Sequence, residues 1–325
     1  MKVELTSIAR QSLATVSKLK GSSLISLNEL TTEEIFEIIE LTSDLKEKQK
    51  NRISHHLLPG RTLGMLFAKP STRTRVSFEV GMYQLGGTSL YLGPNDLHLN
   101  KTESVSDTAK TLSRYLDAIM IRTFNQQDVV DLAKYGSIPV INGLTDLEHP
   151  CQVLTDLFTI FEEKKKLKGL KLAYVGDGNN VASSLLHGCS KVGIDITVAT
   201  PKGYQPPKVV VNEALENAKV HNSKVKITDN PLKAVTDADI IYTDTWVSMG
   251  QEKEAEEKTK TFSNYQVNKE LVAHAKEDYL FMHCLPAHRG YEVTDEVADS
   301  TNSVIFDTAE NRLHVQKAIL TLLIP

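Results

Sequence analysis

From Thr62 to His283 the chain keeps returning to one pattern, a short apolar run, a polar turn and a stretch with helical spacing. Thr62 to Phe67, Ser89 to Leu92, Ala118 to Ile121 and Ile138 to Ile141 read as strands in the first half. Leu172 to Val175, Ile196 to Ala199, Val225 to Thr228, Ile240 to Thr243 and Tyr279 to His283 read as strands in the second. Helices are expected over Asn28 to Lys48, Thr74 to Leu85, His149 to Lys166 and Ala309 to Leu323. Strand–helix alternation on this scale predicts parallel α/β sheets. At 325 residues the chain exceeds the size at which one core usually stops growing. The expected fold is therefore α/β, with two domains that each hold a parallel sheet flanked by helices and that are linked by interdomain helices. Residues 1–150 form the first domain, rejoined by a closing helix over 309–325, and 151–308 form the second.

Composition removes several function classes. The apolar share is 41% and the charged share 24%, the balance of a soluble globular chain. A net charge of −4 spread along the sequence gives no basic surface for nucleic acid. No apolar run approaches the roughly 20 residues of a membrane-spanning helix. Cys151, Cys189 and Cys284 are odd in number and far apart, which suits a reducing compartment better than a disulfide framework. A cytoplasmic location is expected. Met1 to Lys20 carries Lys2, Arg10, Lys18 and Lys20 against one acid, Glu4, a weak transit-peptide composition that would place the protein in the mitochondrial matrix. A solvated leader or first helix is the preferred reading of that segment.

In open α/β sheets ligands bind at the carboxyl ends of the strands, so the residues after each strand are the ones to inspect. Ser71-Thr72-Arg73-Thr74-Arg75 follows the first strand and opens a helix. Hydroxyls, arginines and free backbone N–H groups at a helix N-terminus make a receptacle for a phosphate dianion. An ordinary N-cap with two surface arginines is the competing reading. Arg122 ends another strand and says little alone. In His149-Pro150-Cys151-Gln152, Pro150 suits a first helical turn and places His149 at the cap and Gln152 just inside. Gly176-Asp177-Gly178-Asn179-Asn180 invites a dinucleotide reading, but Val181 stands where a third glycine is needed and no ribose-binding acid follows the next strand. Asp244-Thr245-Trp246-Val247-Ser248-Met249-Gly250 can hold an amino acid, with Asp244 and Ser248 accepting from an ammonium group. A charge-rich, solvated stretch, Gln251 to Lys260, comes next. His283-Cys284-Leu285-Pro286 follows the last strand, and no Cys/His spacing resembles a zinc site, so neither metal nor cofactor is expected.

Taken in order, Ser71-Thr72-Arg73-Thr74-Arg75, His149-Pro150-x-Gln152 and His283-Cys284-Leu285-Pro286 resemble the three signatures of the aspartate/ornithine carbamoyltransferases. Asp244-x-x-x-Ser248-Met249-Gly250 is similar to the ornithine-selective branch, and the resemblance runs from about Leu19 to the C-terminus. It implies that Ser71, Thr72, Arg73 and Thr74 hold the phosphate of carbamoyl phosphate. Arg122, His149 and Thr74 would polarise the carbamoyl oxygen, Gln152 and the Leu285 backbone would hold the carbamoyl nitrogen, and Arg312 would add charge. His98 would reach a neighbouring subunit's site, which implies a homotrimer with shared active sites. Asn180, Asp244, Ser248 and Met249 would bind the amino-acid end of L-ornithine, with Cys284 beside the reacting amine. The reaction expected is direct amine attack through a tetrahedral oxyanion, giving citrulline and phosphate. Aspartate is the alternative acceptor, with putrescine or an acylated ornithine behind it. An NAD-dependent oxidoreductase and a catalytically dead binding subunit are the alternatives from other classes.

Overall fold

The computed structural model describes residues 17–96, 103–247 and 255–325. These divide into two compact units, one running up to Ile25 and then over Glu33–Thr145 and Leu313–Pro325, the other over Ser26–Thr32 and Asp146–Arg312. The divisions fall at Thr145/Asp146 and Arg312/Leu313, against 150/151 and 308/309 expected from the sequence.

The first unit begins with helix α1 (Thr32–Lys50) and continues β1 (Thr62–Phe67), α2 (Thr72–Gln84), β2 (Thr88–Leu92), α3 (Val105–Leu112), β3 (Ala118–Arg122), α4 (Gln126–Tyr135) and β4 (Val140–Leu144). Its sheet has the order β2-β1-β3-β4, with every pair parallel. Strands covered on both faces read as continuous apolar runs. β3 is buried along its whole length, whereas edge strand β2 leaves Thr88 and Leu90 exposed. Leu66, Ile119, Ile121 and Val140 from the sheet pack with Ala109, Leu116, Val129 and Leu132. The pairing of Phe67 with Arg122 brings the ends of β1 and β3 level, and the N–H of Ala68 donates to the carbonyl of Arg122 at 2.8 Å.

β4 departs from the expected Ile138 to Ile141. It starts at Val140 and runs on to Leu144. Pro139 has no N–H to give a ladder, and its carbonyl accepts instead from Ile119 at 2.9 Å, so the strand opens only after it. Asn142 and Gly143 look like a turn in sequence, yet Asn142 is buried with its amide donating to the carbonyl of Ile25 at 2.9 Å.

The second unit comprises α5 (Pro150–Lys164), β5 (Lys171–Val175), α6 (Asn180–Val192), β6 (Asp195–Ala199), α7 (Lys208–His221), β7 (Val225–Thr228), α8 (Pro231–Val235), β8 (Ile240–Thr243), α9 (Ala255–Phe262), α10 (Lys269–Val272), β9 (Leu280–His283), α11 (Asp295–Ala298) and α12 (Ile305–Leu323), whose last residues belong to the first unit. Its sheet is β7-β6-β5-β8-β9, again parallel throughout. The chain builds outward from β5 to β7, then crosses back to lay β8 and β9 on the other side of β5. That reversal makes the β5/β8 boundary a topological switch point, the place where such sheets bind ligands. Ala173, Val175, Ile241 and Phe281 anchor the core, with Trp246 stacked on Phe262 and Tyr265 meeting Phe262 edge to face.

Ser26–Thr32 joins this unit because Glu148 holds it. Ser26 Oγ donates to one carboxylate oxygen at 2.6 Å and Leu27 N–H to the other at 3.1 Å. Burial pushes the Glu148 carboxyl up to about 7 despite these two donors. Among the described residues no helix is long and apolar enough to cross a membrane.

Candidate functional site

In the first unit, the loop from β1 turns into α2 at Ser71. Ser71 takes an extended conformation, and its Oγ accepts from Thr74 N–H at 3.3 Å and donates to Thr74 Oγ1 at 3.1 Å. The cap fixes the first turn of a 13-residue helix that has no acid in that turn, leaving the N–H groups of Thr72 and Arg73 at the positive end of the dipole. Thr74 is buried, Ser71 and Arg73 are half-buried and Thr72 is exposed. No acid pairs with Arg73 among the described residues, while Arg75 is engaged on the surface by Glu79 at 3.4 Å and lies over the Tyr91 ring at 4.0 Å. Two further cations stand at the neighbouring strand ends. Arg122 is buried at the end of β3, and Lys69 is buried with its Nζ 4.1 Å from the Phe124 ring centroid. Caps, N–H groups and basic side chains at two level strand ends are the features of an anion site.

In the second unit, His149 is buried at the N-cap of α5, its N–H donating to Ser184 Oγ at 2.8 Å, and Pro150 follows as the first helical residue. Gln152 is fully buried. Its Oε1 accepts from Arg312 Nη1 at 2.6 Å and its Nε2 donates to Asp156 Oδ1 at 2.9 Å. Tyr242, on β8, donates its hydroxyl to Asp156 Oδ2 at 3.1 Å. Burial pushes the Asp156 carboxyl up to about 7, against the pull of Gln152, Tyr242 and the nearby Arg312.

The switch point holds the other cluster. Asn179, following β5, caps α6 by accepting from Val181 and Ala182 N–H groups at 3.0 and 3.2 Å, and its amide donates to Asp244 Oδ2 at 2.7 Å. Asp244 Oδ1 accepts from Cys284 Sγ at 3.0 Å and from its neighbour Thr245 N–H at 2.8 Å. Burial, with the charge of Asp244 behind it, raises the Cys284 thiol well above its ordinary range. A thiol held neutral is a hydrogen-bond donor and a poor nucleophile. His283 Nδ1 accepts from Leu285 N–H at 2.8 Å, so its Nε2–H faces Glu292 at 3.2 Å. Leu285 itself has φ of +58°, and with its N–H engaged only its carbonyl is left to accept.

The structure thus brings Ser71, Thr72, Arg73 and Thr74 together with Arg122 in one unit, and Gln152, Arg312, Asp244, Cys284 and Leu285 onto the strand and helix ends of the other. His149 heads the same helix as Gln152. Asn180 lies in the first turn of α6, but it is Asn179 that bonds Asp244. His98, Ser248 and Met249 lie outside the described residues. Three residues are new. Asn179 was signalled by its position as the polar residue just before a helix; Asp156 was signalled by an acid four residues after Gln152 inside an apolar helix. Tyr242, in an apolar strand, gave no signal.

Gly178 settles what the glycines after β5 are for. A Cβ there would sit 2.4 Å from Pro206 N and 2.5 Å from the carbonyl of Tyr204, which accepts from Gly178 N–H at 2.9 Å. The second glycine lets two loop backbones pack against each other. Gly178→Ala is expected to lower stability by about 2–3 kcal/mol through overpacking against backbone, read as a lower urea midpoint at unchanged slope.

Two family descriptions cover the chain, "Aspartate/ornithine carbamoyltransferase, carbamoyl-P binding domain" over residues 22–162 and "Aspartate/ornithine carbamoyltransferase, Asp/Orn binding domain" over 168–323. A Pyrococcus abyssi protein named ornithine carbamoyltransferase is 58% identical over 95% of this chain and 98% of its own length. A Pyrococcus furiosus protein named "Ornithine carbamoyltransferase, anabolic" is 57% identical over 94% of this chain and 98% of its own. The solved structure of an ornithine carbamoyltransferase from Pyrococcus furiosus superposes with a TM-score of 0.93 at 57% identity, over 95% of this chain and 98% of that one.

Proposed function

The chain belongs to the aspartate/ornithine carbamoyltransferase family, and we propose that it transfers the carbamoyl group of carbamoyl phosphate to the side-chain amine of L-ornithine, giving L-citrulline and phosphate. The first unit is the carbamoyl-phosphate domain and the second the ornithine domain. The observation that carries the acceptor is Asp244. It is a buried carboxylate at the switch point, held by Asn179 and Cys284, where an aspartate acceptor would require a base. The names of the relatives point the same way.

In this reading the N-terminal turn of α2, with Ser71, Thr72, Arg73 and Thr74, takes the phosphate. Arg122, His149 and Thr74 donate toward the carbamoyl oxygen, and Gln152 Oε1 and the Leu285 carbonyl accept from the carbamoyl N–H groups. Arg312 adds positive charge beside Gln152. Asn180, Asp244, Ser248 and Met249 hold the amino-acid end of ornithine, with Cys284 beside its reacting amine. A lysine-like amine with a pKa of about 10.4 is mostly protonated at neutral pH, so binding the neutral form corresponds to about 4 kcal/mol for three units. That neutral amine attacks the carbamoyl carbon and an oxyanion forms. Donors already in place stabilise the oxyanion, and the C–O bond to phosphate then breaks, with phosphate leaving on the electron pair and taking up the proton that the attacking nitrogen gives up. The high-pKa thiol of Cys284 supports direct attack over a covalent thioester.

We further assign a homotrimer in which His98 serves a neighbouring subunit's site, in a reducing cytoplasm suited to three free cysteines, acting in the biosynthetic direction that the name of the Pyrococcus furiosus relative carries. Citrulline measured from carbamoyl phosphate with ornithine, aspartate and putrescine in parallel tests the activity. Product with ornithine alone is expected. Carbamoyl-aspartate would overturn the acceptor assignment, and silence with every amine would overturn the enzyme reading. A sedimentation mass other than a multiple of three chains would remove the trimer.

A further inference from the structure

A glutamine amide is nearly symmetrical in shape, and turned over it exchanges an acceptor for a donor. Gln152 is fully buried with both ends engaged, Oε1 by Arg312 at 2.6 Å and Nε2 by Asp156 at 2.9 Å. A guanidinium offers only donors, and both oxygens of Asp156 serve as acceptors, one from Gln152 and one from Tyr242. The pair therefore permits a single orientation, with the oxygen toward Arg312 and the NH2 toward Asp156. Asp156 is itself held, since Tyr242 donates to its second oxygen at 3.1 Å from the middle of a buried strand. Asp156 stands four residues beyond Gln152, one helical turn along α5, so helix geometry sets the contact.

Oriented this way, Oε1 keeps one lone pair beyond the bond from Arg312. A ligand group that meets this oxygen must bring a donor. We propose that Asp156, steadied by Tyr242, is a positioning residue that locks the Gln152 amide and thereby makes the site select an acyl phosphate bearing N–H groups over one bearing a methyl group. The proposal rests on the reading of Gln152 as the contact to the carbamoyl nitrogen and names what gives that contact its sign. It also explains why an acid stands within the run Cys151 to Ile160, every residue of which, Asp156 included, is closed from water. Buried polar groups of this kind are retained only where each is satisfied.

Two stable phosphonates separate selectivity from general binding. Phosphonoacetamide carries the NH2, and acetonylphosphonate carries a methyl group in its place. Calorimetric titration of the intact protein, without an amine acceptor, gives the affinity ratio between them. The wild-type ratio is expected near 100-fold in favour of the amide, because a site built to accept a hydrogen bond disfavours an analogue that cannot donate it. Asp156→Leu removes the acceptor for Nε2 and leaves Arg312 as the one remaining hold on the amide, and with that looser hold the ratio is expected to fall below about 10-fold. Asp156→Asn can still accept from Gln152 through its carbonyl, and its ratio is expected to stay within about 3-fold of the wild type. A merely structural role would weaken both ligands alike and leave the ratio unchanged in every variant.

An unchanged ratio in folded Asp156→Leu overturns the proposal. Should that variant fail to fold, Tyr242→Phe serves in its place, with a ratio reduced at least 3-fold expected and an unchanged one overturning the proposal. A wild-type ratio near one, with both phosphonates bound, would instead overturn the reading of Gln152 as the nitrogen contact. The two failures are thus distinguishable.

Discussion

Replacing Arg73 by alanine is expected to lower kcat/KM for carbamoyl phosphate by roughly 1000-fold while leaving the fold intact. Arg73 is half-buried on the first turn of α2, beside N–H groups that Ser71 and Thr74 leave uncapped, and no described acid neutralises it. A guanidinium in that setting adds charge-assisted, two-pronged hydrogen bonds to the positive end of a helix dipole. On the proposed assignment those bonds strengthen as the leaving phosphate gathers charge, so their loss falls on the transition state more than on the ground state. Nothing comparable is lost from the folded state. Alanine is the better helix former, and a surface-side substitution away from core and caps usually stays within about 0.5 kcal/mol. The measurement is a steady-state rate at saturating ornithine alongside a thermal midpoint. A variant with undiminished activity would remove the phosphate assignment, and one that melts early would show that Arg73 supports the fold instead.

The contrast with Arg75 explains why one arginine of the motif is singled out. Two residues further along the helix, Arg75 already pairs with Glu79 and covers the Tyr91 ring. Helix periodicity sends the two side chains in different directions, and only one of them is left with charge to offer a ligand. The sequence alone presents them as equivalents.

How much could be read in advance follows from the kind of signal each element gives. β1 and β8 have the bounds their apolar runs predict, because a buried parallel strand announces itself by continuous hydrophobicity, and the half-buried edge strand β7 has its expected bounds through the alternation of Val225 and Ile227 with Lys226. β4 does not, because Pro139 delays its ladder and a buried Asn142 and Gly143 carry it on past the apolar run. The positions of candidate residues at strand ends or helix caps were legible, and Ser71, Arg122, His149, Asp244 and Cys284 stand where the sequence placed them. Asn179 and Asn180 could not be told apart, since which of two adjacent polar residues becomes the cap depends on the turn geometry. Tyr242 was hidden for a different reason. Its chemistry arises from a contact between α5 and β8, 86 positions apart in sequence, which no local pattern encodes.

The second large effect belongs to Asp244. Asp244→Asn is expected to lower kcat/KM for ornithine about 100- to 1000-fold while carbamoyl-phosphate binding stays within about 2-fold. Two separate losses add. In the proposed function the carboxylate is the charge that meets the substrate's ammonium group, and removing one member of a buried, hydrogen-bonded charge pair costs about 2–5 kcal/mol. The amide also disturbs the network that orients it. Both carboxylate oxygens now accept, one from Asn179 and one from Cys284 and Thr245, whereas an amide offers a single acceptor and sets its own NH2 against a donor on the other side. The switch-point loop is therefore expected to lose its fixed acceptor geometry as well as its charge. Carbamoyl phosphate reports on the rest of the protein, since the contacts proposed for it are made by residues other than Asp244. Equilibrium binding of phosphonoacetamide, set beside the ornithine dependence of citrulline formation, separates the two. Parallel loss of both would mean that the substitution damages the fold. Unchanged ornithine kinetics would show that the acceptor is recognised elsewhere, and Asp244 would then be reduced to a cap partner for Asn179.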